Sequence, residues 1–355
     1  MDDVTPFFSI VIPLYNKETH IADTLLSVFN QSFQDYEVII VNDGSTDRSL
    51  AIAETFYDTR IKIFSIANGG VSAARNYGVG HAQSAFIAFL DADDTWEPSF
   101  LEEMKHLIER YPACGLYSSS YTVLEQNKVY DKCRHLPEGF VQNYFETEFK
   151  HGISRLSATV VRKAVFDATG GFPAGMVSGE DSYFCARVAL KYAMAFTPKL
   201  LVTYNKRFSG INLRYCQADS CRESWFDLYE EGDFYRNELL ADKAIRAGIR
   251  YALGFHKSRS ILIEKRTEFT MLSKKRWRYL FILNRLPYPG IVLLKRAKYI
   301  YSLTKLLNSW VSMTTPLYTV PNMSKMKQRW QARAASVLHV CKELLINSAR
   351  QDGQF

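Results

Sequence analysis

Apolar runs and helix-spaced segments alternate through the first third of the chain. FFSIVIPLY (7–15) is a continuous β-rich run. IADTLLSVFNQ (21–31) then sets Ile21, Leu25, Val28 and Phe29 at helical intervals. YEVIIVNDGS (36–45) predicts a second strand ending in a turn, where Ser45 or Thr46 can cap the next helix. RIKIFSI (60–66) predicts a third strand, and NGGVSAARNYGVGHA (68–82) a glycine turn entering a small-residue helix. SAFIAFL (84–90) predicts a fourth strand, followed by a helix over 98–110. Continuous apolar strands alternating with helices predict a mostly parallel sheet covered on both faces, an α/β fold. Ligands of such sheets bind outside the carboxyl ends of the strands. That rule gathers Pro13 to Asn16, Asn42-Asp43-Gly44 and Asp91 to Asp94 onto one crevice.

Composition adds an asymmetry. The 355 residues are 47% hydrophobic and 14% aromatic, as in a folded chain. The net charge of +7 divides unevenly. Residues 1–204 hold 17 Lys and Arg against 25 Asp and Glu, a net of −8, and residues 205–355 carry the remaining +15. An acidic front half suits polyphosphate only where a metal ion supplies positive charge, and a basic back half suits an anionic surface. The six cysteines (114, 133, 185, 216, 221 and 341) include no CxxC pair, which argues against a zinc site. The start MDDVTPFF lacks a basic n-region, so free thiols in a reducing cytoplasm are expected. No window approaches the roughly 20 apolar residues of a membrane span.

Candidate chemistry concentrates at the predicted strand ends. AFIAFLDADDTWEPSF (85–100) closes a buried strand with Asp91, Asp93 and Asp94. Two carboxylates at i and i+2 can hold Mg²⁺ or Mn²⁺ and leave positions for substrate oxygens. The same acids can equally form a solvated turn capping the helix over 98–110. Asp43 can accept from a ribose or a base N–H, or serve an ordinary Asp-Gly turn. Tyr15 can stack on a base or fill the core. Arg75, in SAARNYG, can reach a nucleotide or brace the Asp91 loop, and Gly69-Gly70 lets backbone amides approach phosphate. A P-loop is absent. GGFPAGMVSGEDSYFCARVAL (170–190) opens a helix on Glu180-Asp181. Acids there suit the helix dipole, and a carboxylate fixed beside a cleft is also a good general base.

Taken in order, SIVIPLYNKE, VIIVNDGSTDRS, GGVSAARNYG, FLDADD and GGFPAGMVSGED resemble the motif set of family 2 inverting glycosyltransferases of bacterial surface-glycan type, over about residues 7–205. The resemblance implies a GT-A Rossmann-like sandwich. It implies Mn²⁺ or Mg²⁺ held at Asp93, with Asp91 on the ribose or the metal shell. It places Asp43 on the base with Pro13 and Tyr15 beside it, Arg75 under the nucleotide with Glu180 near it, and Asp181 as catalytic base. YNKRFSGINLRY (204–215) reads as a mobile lid whose Lys206 or Arg207 touches the diphosphate, or as a surface loop. The expected division is a catalytic domain over 1–210 and a basic helical region over 211–355.

The second region reads as helical. SKKRWRYLFILNRLPYPGIVLLKRAKYIYSLTKLLNSWVSM (273–313) mixes Lys/Arg clusters with aromatics around short apolar stretches. This fits an interfacial helix on an anionic bilayer, or a bundle with a solvated basic face. No nucleic-acid motif is present. The expected partners are a nucleotide-sugar donor, a glycan or lipid-linked acceptor, and the inner face of the plasma membrane. Two other functions compete. A sugar nucleotidyltransferase needs a glycine-rich, Arg-containing loop after the first strand, where PLYNKETH stands instead. A degenerate scaffold is disfavoured by the intact acids at 91, 93, 180 and 181.

Overall fold

The computed structural model describes residues 5–125, 128–176, 178–206 and 223–294. Compactness separates residues 1–291 from 292–355. The strands and helices named below belong to the first unit. The boundary expected at residue 210 falls within 207–222, outside the described residues.

Four strands read from the sequence form one end of the sheet: β1 (Phe8–Leu14), β2 (Tyr36–Asp43), β3 (Ile61–Ile66) and β4 (Phe86–Phe89). They lie in the order β3-β2-β1-β4, all parallel. Between them run α1 (Ile21–Phe29), α2 (Ser49–Ala53) and α3 (Val71–His81). Ile21, Leu25 and Val28 of α1 are fully buried, each worth about 1.5–3 kcal/mol of burial. Gly78 sets how closely α3 packs, because a Cβ there would stand 2.6 Å from Val11 and 3.3 Å from Val41. This close approach holds Arg75, one turn earlier, near the strand ends.

The expected cap of α2 is corrected. Ser45 Oγ instead accepts the Asn16 N–H at 3.2 Å and donates to the Leu14 carbonyl at 3.4 Å. Asn16 Oδ1 in turn accepts from the Thr46 N–H at 2.8 Å. With these groups tied to the loop after β1, the helix starts later, and Asp47 accepts the Ser49 N–H at 2.9 Å.

The sheet continues β9-β6-β10-β5 beyond β4. Here β9 (Thr159–Arg162) runs antiparallel to both β4 and β6 (Leu116–Glu125). Strands β6 and β10 (Met194–Asn205) are parallel, so they point the same way as β4. Three short strands pair antiparallel at the periphery: β5 (Thr95–Trp96), β7 (Lys128–Lys132) and β8 (Gly139–Phe140). Helices α4 (Phe100–Arg110), α5 (Tyr144–His151), α6 (Lys163–Thr169) and α7 (Glu180–Ala189) cover this half.

The region after residue 222 is helical, with α8 (Phe234–Leu253), α9 (Lys257–Arg266) and α10 (Lys274–Arg285). Leu239, Leu240, Ile245, Ile263, Leu280 and Leu283 are buried among them. Several of its charges are internal ties. Glu238 accepts from the Thr270 hydroxyl at 2.6 Å, and Glu264 accepts from Arg285 at 2.9 Å. No helix among the described residues is long and apolar enough to cross a membrane.

Candidate active site

Because β1, β2, β4, β6 and β10 share one direction, their carboxyl ends share one edge. The loops leaving that edge carry the acids. Asp91 and Asp93 follow β4. Asp43 ends β2, and its carboxylate accepts the N–H groups of Gly69 at 2.7 Å and Gly70 at 3.0 Å. Gly70, at φ +85°, has the backbone that lets both amides converge on one side chain. Asp43 therefore also fixes the turn that launches α3. Pro13 lies within β1, opposite Val41, and Tyr15 is half-buried just beyond the strand.

Arg75 is the hub of the edge. It is only 3% exposed, and its guanidinium donates to Asp91 Oδ1 at 2.6 Å and to Glu180 Oε1 at 3.0 Å. Its face lies 5.3 Å from the Phe172 ring centre. Burial would lower the arginine pKa, but Asp91, Glu180 and Asp181 together lift it above the usual range. Asn76 adds a reciprocal clamp on the GGFP turn, donating to the Phe172 carbonyl and accepting the Phe172 N–H, both at 2.9 Å. These contacts hold the start of α7, and so Glu180 and Asp181, against the loop after β4.

The three clustered acids have three environments. Asp91 is 29% exposed at its side chain. Burial pushes its pKa up, but Arg75, Arg155 and Lys17 outweigh that and leave it below the ordinary carboxylate value. Asp93 is ion-paired with Lys17. Asp94 is fully buried and structural. It accepts from the Ser157 hydroxyl at 2.5 Å and the Asn205 N–H at 2.9 Å, and its own carbonyl accepts from Thr24 at 2.9 Å. Burial, with Asp93 and Asp91 nearby, raises the Asp94 carboxyl to about 8. Glu180 is also raised, by burial and by Asp181, with Arg75 opposing.

Asp181 sits in the first turn of α7, where its Oδ1 accepts the Ser182 N–H at 2.7 Å. Behind it, Lys243 of α8 donates to Ser182 Oγ at 3.0 Å and to Glu148 Oε1 at 3.3 Å. The helical region thus braces the helix that carries Asp181. Lys206 is ion-paired with Glu125 at 2.6 Å. Arg207, the other half of that expectation, lies outside the described residues.

Sequence reasoning missed Lys17, Asp94's structural role, and Arg155. Lys17 follows Tyr15 in the PLYNKE turn, and nothing local marks it as the partner of an acid 76 residues away. Arg155 stands in HGISRLS, which matches no motif.

The acids fit a divalent ion in a limited way. Among the described residues, Asp91 Oδ2 and Asp93 Oδ1 have no hydrogen-bond partner, while the other oxygen of each is committed to Arg75 or Lys17. No group of three or more His, Cys, Asp or Glu that could hold a metal occurs among the described residues. Two carboxylates completed by phosphate oxygens and water are what Mg²⁺ and Mn²⁺ accept.

These strand-end acids, bridged to a helix start by a buried arginine, stand at the carboxyl edge of an α/β sheet, where ligands of such sheets bind. Comparison with known proteins makes this specific. The family model "Glycosyl transferase family 2" matches residues 9–170. EpsJ of Bacillus subtilis, described as an uncharacterized glycosyltransferase, is 38% identical over 121 residues, 32% of this chain and 35% of EpsJ. The minor teichoic acid biosynthesis protein GgaA of Bacillus subtilis is 43% identical over 105 residues, 27% of this chain and 24% of GgaA. The chain thus spans about a third or less of these curated relatives. The crystal structure of S. aureus TarS 1–349 in complex with UDP-GlcNAc superposes with a TM-score of 0.59 at 20% identity, covering 80% of this chain and 90% of that one. That likeness establishes the expected GT-A fold.

Proposed function

We propose that this chain transfers a hexosyl or N-acetylhexosaminyl group from a UDP-sugar to a glycan or lipid-linked glycan acceptor in surface-polysaccharide assembly. One observation carries the reading. A single guanidinium, that of Arg75, ties the acid turn after β4 to the first turn of α7. The residue proposed to face the donor phosphates and the residue proposed to take the acceptor proton are thereby held together. The names of EpsJ and GgaA and the UDP-GlcNAc bound by TarS support the substrate class.

In this reading the acceptor hydroxyl gives its proton to Asp181 as its oxygen attacks the anomeric carbon. The bond from that carbon to the diphosphate breaks, its electron pair leaves with the phosphate oxygen, and configuration inverts. No protein nucleophile is required. Asp43, Pro13 and Tyr15 hold the nucleoside, and Arg75 fixes Asp91 and Glu180. Asp93 and Asp91 would hold Mn²⁺ or Mg²⁺, which supplies positive charge against the departing diphosphate. The exposed Tyr279 and Ile282 share α10 with Lys275 and Arg278. This supports peripheral attachment to an anionic cytoplasmic membrane face.

The test is release of free UDP from UDP-GlcNAc, UDP-glucose and UDP-galactose by the full chain, in Mn²⁺ and then in EDTA. The expected result is Mn²⁺-dependent UDP release from at least one donor. Formation of UTP from a UDP-sugar and pyrophosphate would identify a nucleotidyltransferase and overturn the reading.

A further inference from the structure

Three cations stand among the acids of the strand-end crevice, and two are committed. Lys17 is paired with Asp93, and Arg75 with Asp91 and Glu180. Arg155 differs. It lies just before the 3₁₀ turn Leu156–Ala158. Its guanidinium carbon is 3.9 Å from the centre of the Tyr204 ring and 5.8 Å from that of Tyr121. No carboxylate of the described residues lies within ion-pair distance of it, and its buried Nε–H has no hydrogen-bond partner. Its charge nevertheless acts on Asp91, Asp94 and Asp181.

Arg155 is half-buried, and burying part of a guanidinium, its Nε–H included, carries a desolvation cost that a carboxylate partner would ordinarily offset. Aromatic faces return only about 0.5–2 kcal/mol. An arginine stacked on Tyr204, with no carboxylate partner among the described residues and within the electrostatic reach of Asp94 and Asp181, is therefore set to receive an anion. Stacking also fixes the plane of the guanidinium, which suits a fork of phosphate oxygens. Lysine offers a point charge without that plane.

We propose that Arg155 binds the diphosphate of the nucleotide donor and strengthens its hold as negative charge builds on the leaving group. This rests on the nucleotide-sugar reading of the site. Arg155 stays protonated throughout. The acceptor proton goes to Asp181, and the electron pair of the broken carbon–oxygen bond goes to the diphosphate that Arg155 contacts.

The test is calorimetric titration of the full chain, in Mn²⁺, with UDP and UMP, and with the GDP/GMP, CDP/CMP and ADP/AMP pairs in parallel. Wild type should prefer a nucleoside diphosphate to its monophosphate. Arg155→Met should weaken the diphosphate by about 10- to 100-fold, the scale of charge-assisted hydrogen bonds, and leave the monophosphate within about threefold. Arg155→Lys, which preserves the charge and guards against misfolding, should fall between. Equal loss of diphosphate and monophosphate, or unchanged diphosphate affinity in either variant, overturns the role of Arg155 alone. Wild type that binds none of the nucleotides overturns the nucleotide reading and this proposal together.

Discussion

The two edges of the parallel half of the sheet, β1 to β4, are built from similar residues and do opposite things. At the amino edge, Glu37 accepts from Ser9 at 2.6 Å, Lys62 at 2.8 Å and the Gln83 N–H at 2.7 Å. Ser9 in turn accepts the Ser84 N–H at 3.1 Å. This is a closed network, with one carboxylate, one cation and neutral donors filling the remaining valences. At the carboxyl edge, five acids (91, 93, 94, 180 and 181) meet Lys17, Arg75 and Arg155. Here buried donors are left over, namely Arg75 Nε, Arg155 Nε and the Ser72 hydroxyl. Unsatisfied buried polar groups cost about 1–3 kcal/mol each. Among the described residues, the closed edge leaves no buried donor over, whereas the open edge keeps unsatisfied donors where the proposed diphosphate would meet it.

Breaking the open edge should affect chemistry without unfolding. The largest effect is expected from Asp181→Asn. Transfer should fall by about 10²-fold or more, the usual scale for a general base, while donor affinity stays within about threefold. Wild-type turnover in that variant would place the base elsewhere. Asp93→Asn should abolish the Mn²⁺-dependent part of UDP binding measured by calorimetry. Unchanged affinity in Mn²⁺ would remove Asp93 from the metal site.

Smaller, structural effects are expected away from the open valences. Gly78→Ala should lower stability by about 1–3 kcal/mol through overpacking on Val11, read as a shift in the denaturation midpoint. Glu37→Gln should cost about 1–3 kcal/mol by unbalancing the closed network, with UDP affinity unaltered. Burial would raise the Glu37 pKa, but Lys62, Ser9 and Gln83 lower it below the ordinary value. The folded state therefore holds its proton less tightly than the unfolded chain. The stabilisation is present above the unfolded pKa and is lost as pH falls through the folded one. The variant's deficit should accordingly shrink in acid. The smallest effect is expected at Asp94→Asn, which can keep the Asn205 contact in the same shape and should cost under about 1 kcal/mol. A loss of metal-dependent binding as large as that of Asp93→Asn would show that the third acid belongs to the open edge after all.

Strands β1 to β4 and helices α1 and α3 were legible because their signal is local. An unbroken apolar run or a helical spacing needs no distant partner. The half built from β6, β9 and β10 was not. Ser118, Ser119 and Ser120 are polar but buried in β6, and Ser118 is satisfied from afar, donating to the Ile153 carbonyl at 3.0 Å. Helices α8 to α10 were read as helical, but their bracing of α7 through Lys243 has no local mark.

By itself the sequence determined the alternation of strands and helices in the first part of the chain, and which acids lie at the strand ends. Strand direction then follows, because continuous apolar strands joined by helices pack in parallel. Which acids face a ligand and which are walled in was decided only by tertiary structure. Asp91, Asp93 and Asp94 are neighbours along the chain. Their roles are assigned by Arg75, Lys17 and Ser157 arriving from three other elements. The physical reason is the short reach of hydrogen bonds and of charge in a buried site, which makes a carboxylate's character depend on what lies within a few ångströms in space.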